Sequence, residues 1–569
     1  MWPFRALGAP GSKAMSEETK KVPVIQQVRE MGATFWIANG SEAFERLAFF
    51  GVRAVLPLYM FGGNSVLKLS MTEKGIIFGV WALIQCLLPM ISGGYTESYG
   101  YRRSLAVAFT LNGLGYLLMA NVPALAGDSA SGRFWFMMAS ACLVGTGTAI
   151  FKPAVQGQVA KSLNEGNSGL GFGIFYWIVN IGGFLAPMAA AWARGDELNP
   201  TWSHVFYGAA IVTVINLVYC LAFFPEPEKD AEAAKKSPGR VFADTMSELW
   251  RNQPMFRFLL VISGFWLMFL QVWDLLPNFI DEWVDARDVG GWLTAMLGDG
   301  AKSFLTETGS AKPEMLINID AAAIILFVLP LSWFMGRYRM IVSLLLGMVI
   351  SMVGFVGAGV TQTGSLVALF IFVFAIGEIV CSPKFSEYVG MTAPPDKKAQ
   401  YMGYSNMPFA FGWFIGNLAS GPLYDRFSSK LILSRRYLVE HLGMPEAWAK
   451  STDSLPGNLV LDTVAARIND TSPEALQAAV AQAAEKLSAI DKAALSASEV
   501  AKLVEAAMAP LQPLKGNVDQ YQVAQTLWNT YDPWVIWLML GAVGLTSVIG
   551  MVFMYARSPS KEPGEADKA

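Results

Sequence analysis

Residues 39–60 read NGSEAFERLAFFGVRAVLPLYM, an apolar stretch interrupted by Glu42, Glu45, Arg46 and Arg53. In a helix begun at Met31, Glu42 to Arg46 would lie roughly 16 to 22 Å along the axis, near the middle of a bilayer. A charged group there costs about 3 kcal/mol even on the lenient insertion scale. Glu42 and Arg46 are spaced i,i+4, while Arg46, Phe49, Phe50 and Arg53 share one stripe over two turns. That face cannot look at lipid, so it must line a bundle interior or a water-filled cavity. The competing reading is a buried ion-pair staple that only holds helices together.

The rest of the chain supports a lipid solvent. Its 569 residues are 53% hydrophobic and 15% charged, and the mean hydropathy is +0.39, which excludes a string of ordinary soluble domains. The net charge of -3 is spread without a basic block, so nucleic acid is not an expected partner. Cys86, Cys142, Cys220 and Cys381 each sit in an apolar run without metal or redox spacing, and read as small buried hydrophobes. The two histidines, His204 and His441, fall in expected loops or soluble segments, so any proton relay must rest on carboxylates. No metal cluster, nucleotide loop or nucleophile arrangement points to an enzyme, and no catalytic residue is assigned. The stretch before Lys20 lacks the order of a cleavable signal and Met15 is an alternative start, so insertion would fall to the first membrane helix.

Apolar runs of spanning length recur near 33–61, 75–96, 104–123, 134–158, 170–192, 204–224, 256–280, 318–336, 340–361, 366–391, 400–424 and 533–556. They predict an all-α integral membrane fold of twelve helices in two six-helix bundles. A cytoplasmic segment 1–32 leads into a first bundle over 33–224, and a hydrophilic linker over 225–255 leads to helices seven to eleven over 256–424. The twelfth span at 533–556 and a cytoplasmic tail at 557–569 complete the chain. Arg102, Arg103, Lys161, the linker cations, Arg337, Arg339, Lys397 and Lys398 share one side. That side is expected to be the cytoplasm, with both termini inside. Lys68, Lys74, Arg133 and Arg194 are expected in loops on the opposite side.

Residues 425–532 separate the last two spans with a polar, Ala-rich insertion that parity places outside. Ser472-Pro473-Glu474 and the Ser496/Glu499 pair are helix-start signals, together predicting a helical hairpin. It is expected to be a solvated appendage, with a lid or a protein-partner site as the other readings.

Two more polar groups stand in apolar surroundings: Lys152 in GTGTAIFKPAVQGQ and Asn180 in GFGIFYWIVNIGGFLAP. A buried lysine needs a carboxylate, and Glu42 or Glu45 would serve. Glu42-Ala43-Phe44-Glu45-Arg46, followed by an aromatic pair, Gly51 and Arg53, resembles the ExxER signature of the proton-dependent oligopeptide transporters of the major facilitator superfamily. Lys152 in GTG...KP and Asn180 in FYW..NIG match two further motifs. Gly93 to Arg103 is similar to the loop motif shared across the superfamily, with Glu97 where aspartate is usual. In the second half, Glu378 and Ser382 ahead of Pro383 resemble the GE...SP pattern, while Met402-Gly403 and Trp413 fit the eleventh helix.

The resemblance implies a symporter that imports di- and tripeptides by alternating access, needing no cofactor and using protons as the coupling ion. Glu42, Glu45, Arg46 and Lys152 would couple protons. Arg53, Phe49, Phe50, Lys152, Asn180, Glu378, Ser382 and Trp413 would bind the small peptide. The sequence departs from the pattern at Phe49 and Phe50, where tyrosines are usual, and at Val272, where many members carry a gating glutamate. Asp274 lies two residues on, about 200° around a regular helix, so it is no simple replacement; Asn318 and Asp320 are further gating candidates. A same-fold carrier for another amphoteric or anionic solute, and a non-transporting receptor or scaffold, remain as alternatives.

Overall fold

The computed structural model describes residues 24–62, 65–89, 100–163, 168–195, 201–226, 246–335, 338–392, 404–442, 457–488 and 506–557, with Ser92, Thr96 and Leu503 singly. Most of the Gly93–Arg103 motif, Lys397, Lys398, Met402-Gly403, Ser496/Glu499 and linker residues 227–245 lie outside the described residues. The described chain is helical apart from two isolated β-bridges.

The first six spans are Ala33–Met60, Met71–Leu87, Tyr101–Ala126, Ala130–Lys161, Ser168–Arg194 and Trp202–Phe223. The second six are a segmented seventh, then Pro313–Met335, Met340–Gly359, Gly364–Thr392, Asn406–Phe427 and Val535–Arg557. Eight helices among the described residues are long and apolar enough to cross a membrane. The charges of the first span place it outside that set, as lipid insertion energetics require of a helix that faces protein.

The first helix packs on the fifth and sixth, the third on the fourth and sixth, and the second on the fourth. In the other half, the tenth packs on the eighth and ninth, and the twelfth on the seventh and ninth. The halves meet where the second helix lies on the eleventh, the fifth on the eighth and the first on the seventh. Two glycines make the second–eleventh seam close: a Cβ on Gly75 would lie 2.3 Å from the Asn417 carbonyl oxygen, and one on Gly421 would lie 2.6 Å from that of Met71.

The seventh span departs from the expected continuous helix over 256–280. It runs as Gln253–Phe269, Gln271–Asp274 and Leu276–Trp283, with Leu275 at φ -113° between the last two pieces. Pro277 supplies the cause, since it has no N–H to give and crowds the preceding turn. A further helix, Arg287–Leu297, and a 3-10 turn, Gly298–Phe304, precede the eighth span.

The insertion is not a free appendage. Ser472 caps a helix over Pro473–Ser488, as its sequence signal predicts, with Ala475 N–H donating to its hydroxyl at 3.3 Å. Val464, Leu476, Val480, Leu511, Val523 and Leu527 are buried in the same apolar cluster as Phe279, Trp283 and Trp537 of the second bundle. Trp528 packs 5.9 Å from Phe279 and 6.0 Å from Trp283, ring centre to ring centre. The helix Gln520–Tyr531 carries the contact with the last segment of the seventh span, and the alanine-rich helix Pro473–Ser488 packs on Gly457–Ile468.

Candidate functional site

The first helix carries two charged groups of side chains, two turns apart. In the inner one, Arg46 Nε lies 3.1 Å from Glu42 Oε1, and the same guanidinium pairs with Glu45. All three residues are buried. Arg46 also lies over the rings of Phe49 and Phe50, at 5.2 and 5.4 Å. Thr148 of the fourth helix donates to Glu45 Oε1 at 3.5 Å. Lys152 is within electrostatic reach of Glu42, Glu45 and Arg46 but forms no ion pair with them. The fifth helix approaches through Gly182, where a Cβ would lie 2.7 Å from that of Arg46. The NIGG run is thus the local reason the first and fifth helices close over this group. The expected proton-coupling residues are together, inside one bundle.

The outer group joins the two bundles. Arg53 pairs with Asp274 of the seventh helix, among the rings of Phe78 at 4.3 Å, Trp81 at 5.1 Å and Trp413 at 5.3 Å. Trp413 Nε1 donates to Asp274, and Asn417 Nδ2 donates to it at 2.8 Å. Lys74 Nζ donates to the Asp274 carbonyl at 2.5 Å and to Asn278 Oδ1 at 2.6 Å. Asn278 in turn donates to the carbonyls of Pro57 and Phe61, at 3.0 and 3.1 Å, where the first helix ends. Asp425 accepts the N–H groups of Met71 and Thr72, at 3.1 and 3.0 Å, and the Thr72 hydroxyl at 2.8 Å. A carboxylate at a helix N-terminus is well placed to bind it.

The fifth and eighth helices are tied at the same end. Arg194 Nη1 lies 2.9 Å from Glu314 Oε1, with both side chains buried. Lys312 donates to the Gly195 carbonyl at 2.9 Å, and Asn318 to that of Phe184 at 2.8 Å. Among the described residues, the hydrogen bonds and ion pairs between bundles gather where the first and seventh spans finish. That end is latched shut.

Arg53 and Trp413, expected at the ligand, are engaged in the latch. Asp274 faces the first helix from the short segment Gln271–Asp274, in which it stays two residues from Val272 and so about 200° from it. Asn318 is a bundle contact. Asp320 stands apart from the latch, within electrostatic reach of Glu378 and Tyr176. Asp320 Oδ1 and Glu378 Oε2 are buried without a hydrogen-bond partner, and Asn180 donates to the Tyr176 carbonyl at 2.8 Å on the facing fifth helix. Ser382 accepts, at its carbonyl, from Ser386 at 3.5 Å.

Lys74 and Arg194, expected as loop charges, are buried, Lys74 hydrogen-bonded to the seventh helix and Arg194 paired with Glu314. Signals for both were present. Ser70 and Glu73 form a capping box that starts the second helix at Met71 and puts Lys74 in its first turn. Pro313 and Glu314 mark the start of the eighth helix ahead of its apolar run.

The family model of the Major Facilitator Superfamily matches residues 41–417, well over half of the chain. The chain belongs to the Major Facilitator Superfamily. Relatives of this carrier include the multidrug resistance protein MdtH of Klebsiella pneumoniae (strain 342), 20% identical over 404 residues that span 70% of this chain and 88% of that one. A point mutant of the nucleoside transporter NupG shares the fold at a TM-score of 0.59 and 12% identity, covering 92% of this chain and 100% of its own. A POT family transporter in complex with 5-aminolevulinic acid does so at 0.52 and 18%, covering 77% and 97%. The protein is a multi-pass membrane transporter of this superfamily. Its solved neighbours include the peptide-transporter branch that the first-helix motif resembles.

Proposed function

We propose that the protein is a proton-coupled symporter that imports di- and tripeptides across the inner membrane, with both termini cytoplasmic and the latched end outside. The observation that carries this reading is the buried Glu42–Arg46–Glu45 group with Lys152 in reach. A proton on either glutamate weakens its hold on Arg46 and frees that cation, or Lys152, for another partner. Rocking of the bundles then exchanges the closed outer end for an open one. Asn180, Glu378, Ser382 and Asp320 supply the polar lining in which a peptide amine finds a carboxylate. Uptake of labelled dialanine into proteoliposomes tests the reading: an inward proton gradient should drive accumulation above equilibrium, and gradient-independent equilibration would contradict it.

The Phe49–Phe50 pair and Val272 favour a second reading, a same-fold carrier for another small amphoteric or anionic solute. The 5-aminolevulinic acid named for one structural neighbour has that chemistry, and the drug-resistance relatives extend the range. Competition of dialanine uptake by such solutes separates the two. A scaffold using the insertion to hold a protein partner predicts no uptake at all.

A further inference from the structure

The connector between the seventh and eighth spans carries the helix Arg287–Leu297. At about 1.5 Å per residue it is roughly 16 Å long, half of a hydrocarbon core. Its sides differ in chemistry. Val289 and Leu293 pack into the apolar core of the second bundle. Gly290 lets the returning chain press close, since a Cβ there would lie 1.9 Å from the Gly309 carbonyl oxygen. A second side is polar: Arg287 pairs with Asp285 and, at 3.4 Å, with Asp519 of the insertion, and Thr294 is exposed on the same side. The third side carries Trp292 and Met296, spaced i,i+4 and 60% and 81% exposed. Met296 is nine residues from Arg287, which at about 100° per residue puts it on the opposite side of the helix.

This helix begins at the level where the tenth span begins. Asp285 N–H donates to the Gln362 carbonyl at 2.8 Å, and Gly364 N–H donates to that of Asp285 at 2.9 Å. Asp288 Oδ2 accepts the Ser365 N–H at 2.8 Å. Trp292 lies one turn past Asp288 on the same side, so its face continues from the first turn of the tenth span, where Leu366 and Leu369 are exposed. Trp135, in the second turn of the fourth span, and Trp192, in the last turn of the fifth, are exposed at the same end. Tryptophans gathered at one end of the spans mark the membrane interface, and a helix with tryptophan on one face and charge on the other lies in its plane. We propose that Arg287–Leu297 is a lipid-docked helix whose Trp292 and Met296 face sits at the headgroup–acyl boundary of the leaflet at the latched end. The connector is thereby held at membrane level beside the seam of the fifth and eighth helices. Lys312 bonds there both to the Ser303 carbonyl of the connector, at 3.0 Å, and to the Gly195 carbonyl of the first bundle, at 2.9 Å. This assignment holds whatever solute is carried.

The test is a set of nitroxide labels in phosphatidylcholine nanodiscs. Trp292→Cys, Thr294→Cys, Met296→Cys, Asp299→Cys and Leu369→Cys are made one at a time in a full-length chain whose four native cysteines are alanine. Collisions with dissolved oxygen, which concentrates among acyl chains, are compared with collisions with a nickel chelate, which stays in water. For a face buried about 5–10 Å into the boundary, the oxygen-to-nickel ratio at 292 and 296 should be at least about threefold that at 294 and 299. It should also approach the ratio at 369 on the tenth span. Nickel access at 292 and 296 equal to that at 299 overturns the proposal, because the helix is then solvated. Low access of both probes at 292 and 296 overturns it too, because protein, such as a second copy of the chain, then covers the face. Met296 and Ala295 are exposed, so their replacement removes little packing. Should Trp292→Cys not fold, Ala295→Cys takes its place and the same outcomes decide.

Discussion

The two charged groups on the first helix differ in where their counter-charges come from. Glu42, Glu45 and Arg46 close on one another within two turns, so whatever the bundles do, that group keeps its counter-charges. Arg53, two turns further, takes its carboxylate from the seventh helix. One group therefore holds its counter-charges within a single helix, while the other loses its partner when the bundles part. A carrier needs both kinds of element: one that reads the coupling ion and one whose making and breaking is the conformational change.

The largest test of this contrast is to remove the shared carboxylate. Truncating one member of a buried ion pair costs about 3–5 kcal/mol, because the remaining charge is stranded. Asp274→Asn strands Arg53 and removes a carboxylate within reach of Lys74. The closed end should open, read as a shift of the distance distribution between spin labels at the exposed positions Asp128 and Asp299 toward its long component. The shift should be at least about a hundredfold in the closed-to-open ratio. Glu42→Gln, which leaves Glu45 on Arg46, should leave that distribution close to the parent. A closed Asp274→Asn protein would break the comparison.

A smaller effect is expected from packing alone. Gly75 lies under the eleventh helix, where an added Cβ would meet the Asn417 carbonyl oxygen at 2.3 Å. Backbone cannot swing aside as a side chain would, so Gly75→Ala overpacks the seam by about 1–3 kcal/mol. The same distance measurement should show the open component enriched roughly five- to a hundredfold with every latch residue in place. Enrichment of the closed component would mean that the second–eleventh contact is not part of what separates.

The difference between the two groups also explains what could be read in the sequence. Glu42, Arg46 and the aromatic stripe are related by i,i+4 geometry, which survives in any helix, and so the inner group and its facing requirement were legible. The twelve apolar runs were legible because lipid imposes length and composition directly. Asp274, a gating candidate two residues from Val272, is paired with Arg53, and helical spacing from Val272 does not encode that partner. Lys74 and Arg194 were read as loop charges because hydropathy starts or ends a helix at its apolar part, whereas Ser70 and Pro313 mark the true starts. Pairings such as Arg194 with Glu314 span the whole domain organisation, and no local spacing encodes them. The insertion misled for a related reason: its helices look solvated one at a time, and their burial depends on Trp528 meeting Phe279 and Trp283 and on Pro473–Ser488 meeting Gly457–Ile468 in space.

The central claim is that the inner group reads protons while the outer group moves. It is tested most directly by Glu45→Gln in proteoliposomes, comparing accumulation of labelled dialanine driven by an inward proton gradient with counterflow exchange at equal pH on both sides. Carboxylates are the titrating groups available to the middle of the spans, since His441 lies in the insertion and His204, expected in a loop, is exposed in the first turn of the sixth span. The account predicts that gradient-driven accumulation is lost while exchange, which needs the bundles to rock but no net proton movement, survives in substantial part. Full gradient-driven accumulation in Glu45→Gln would contradict it.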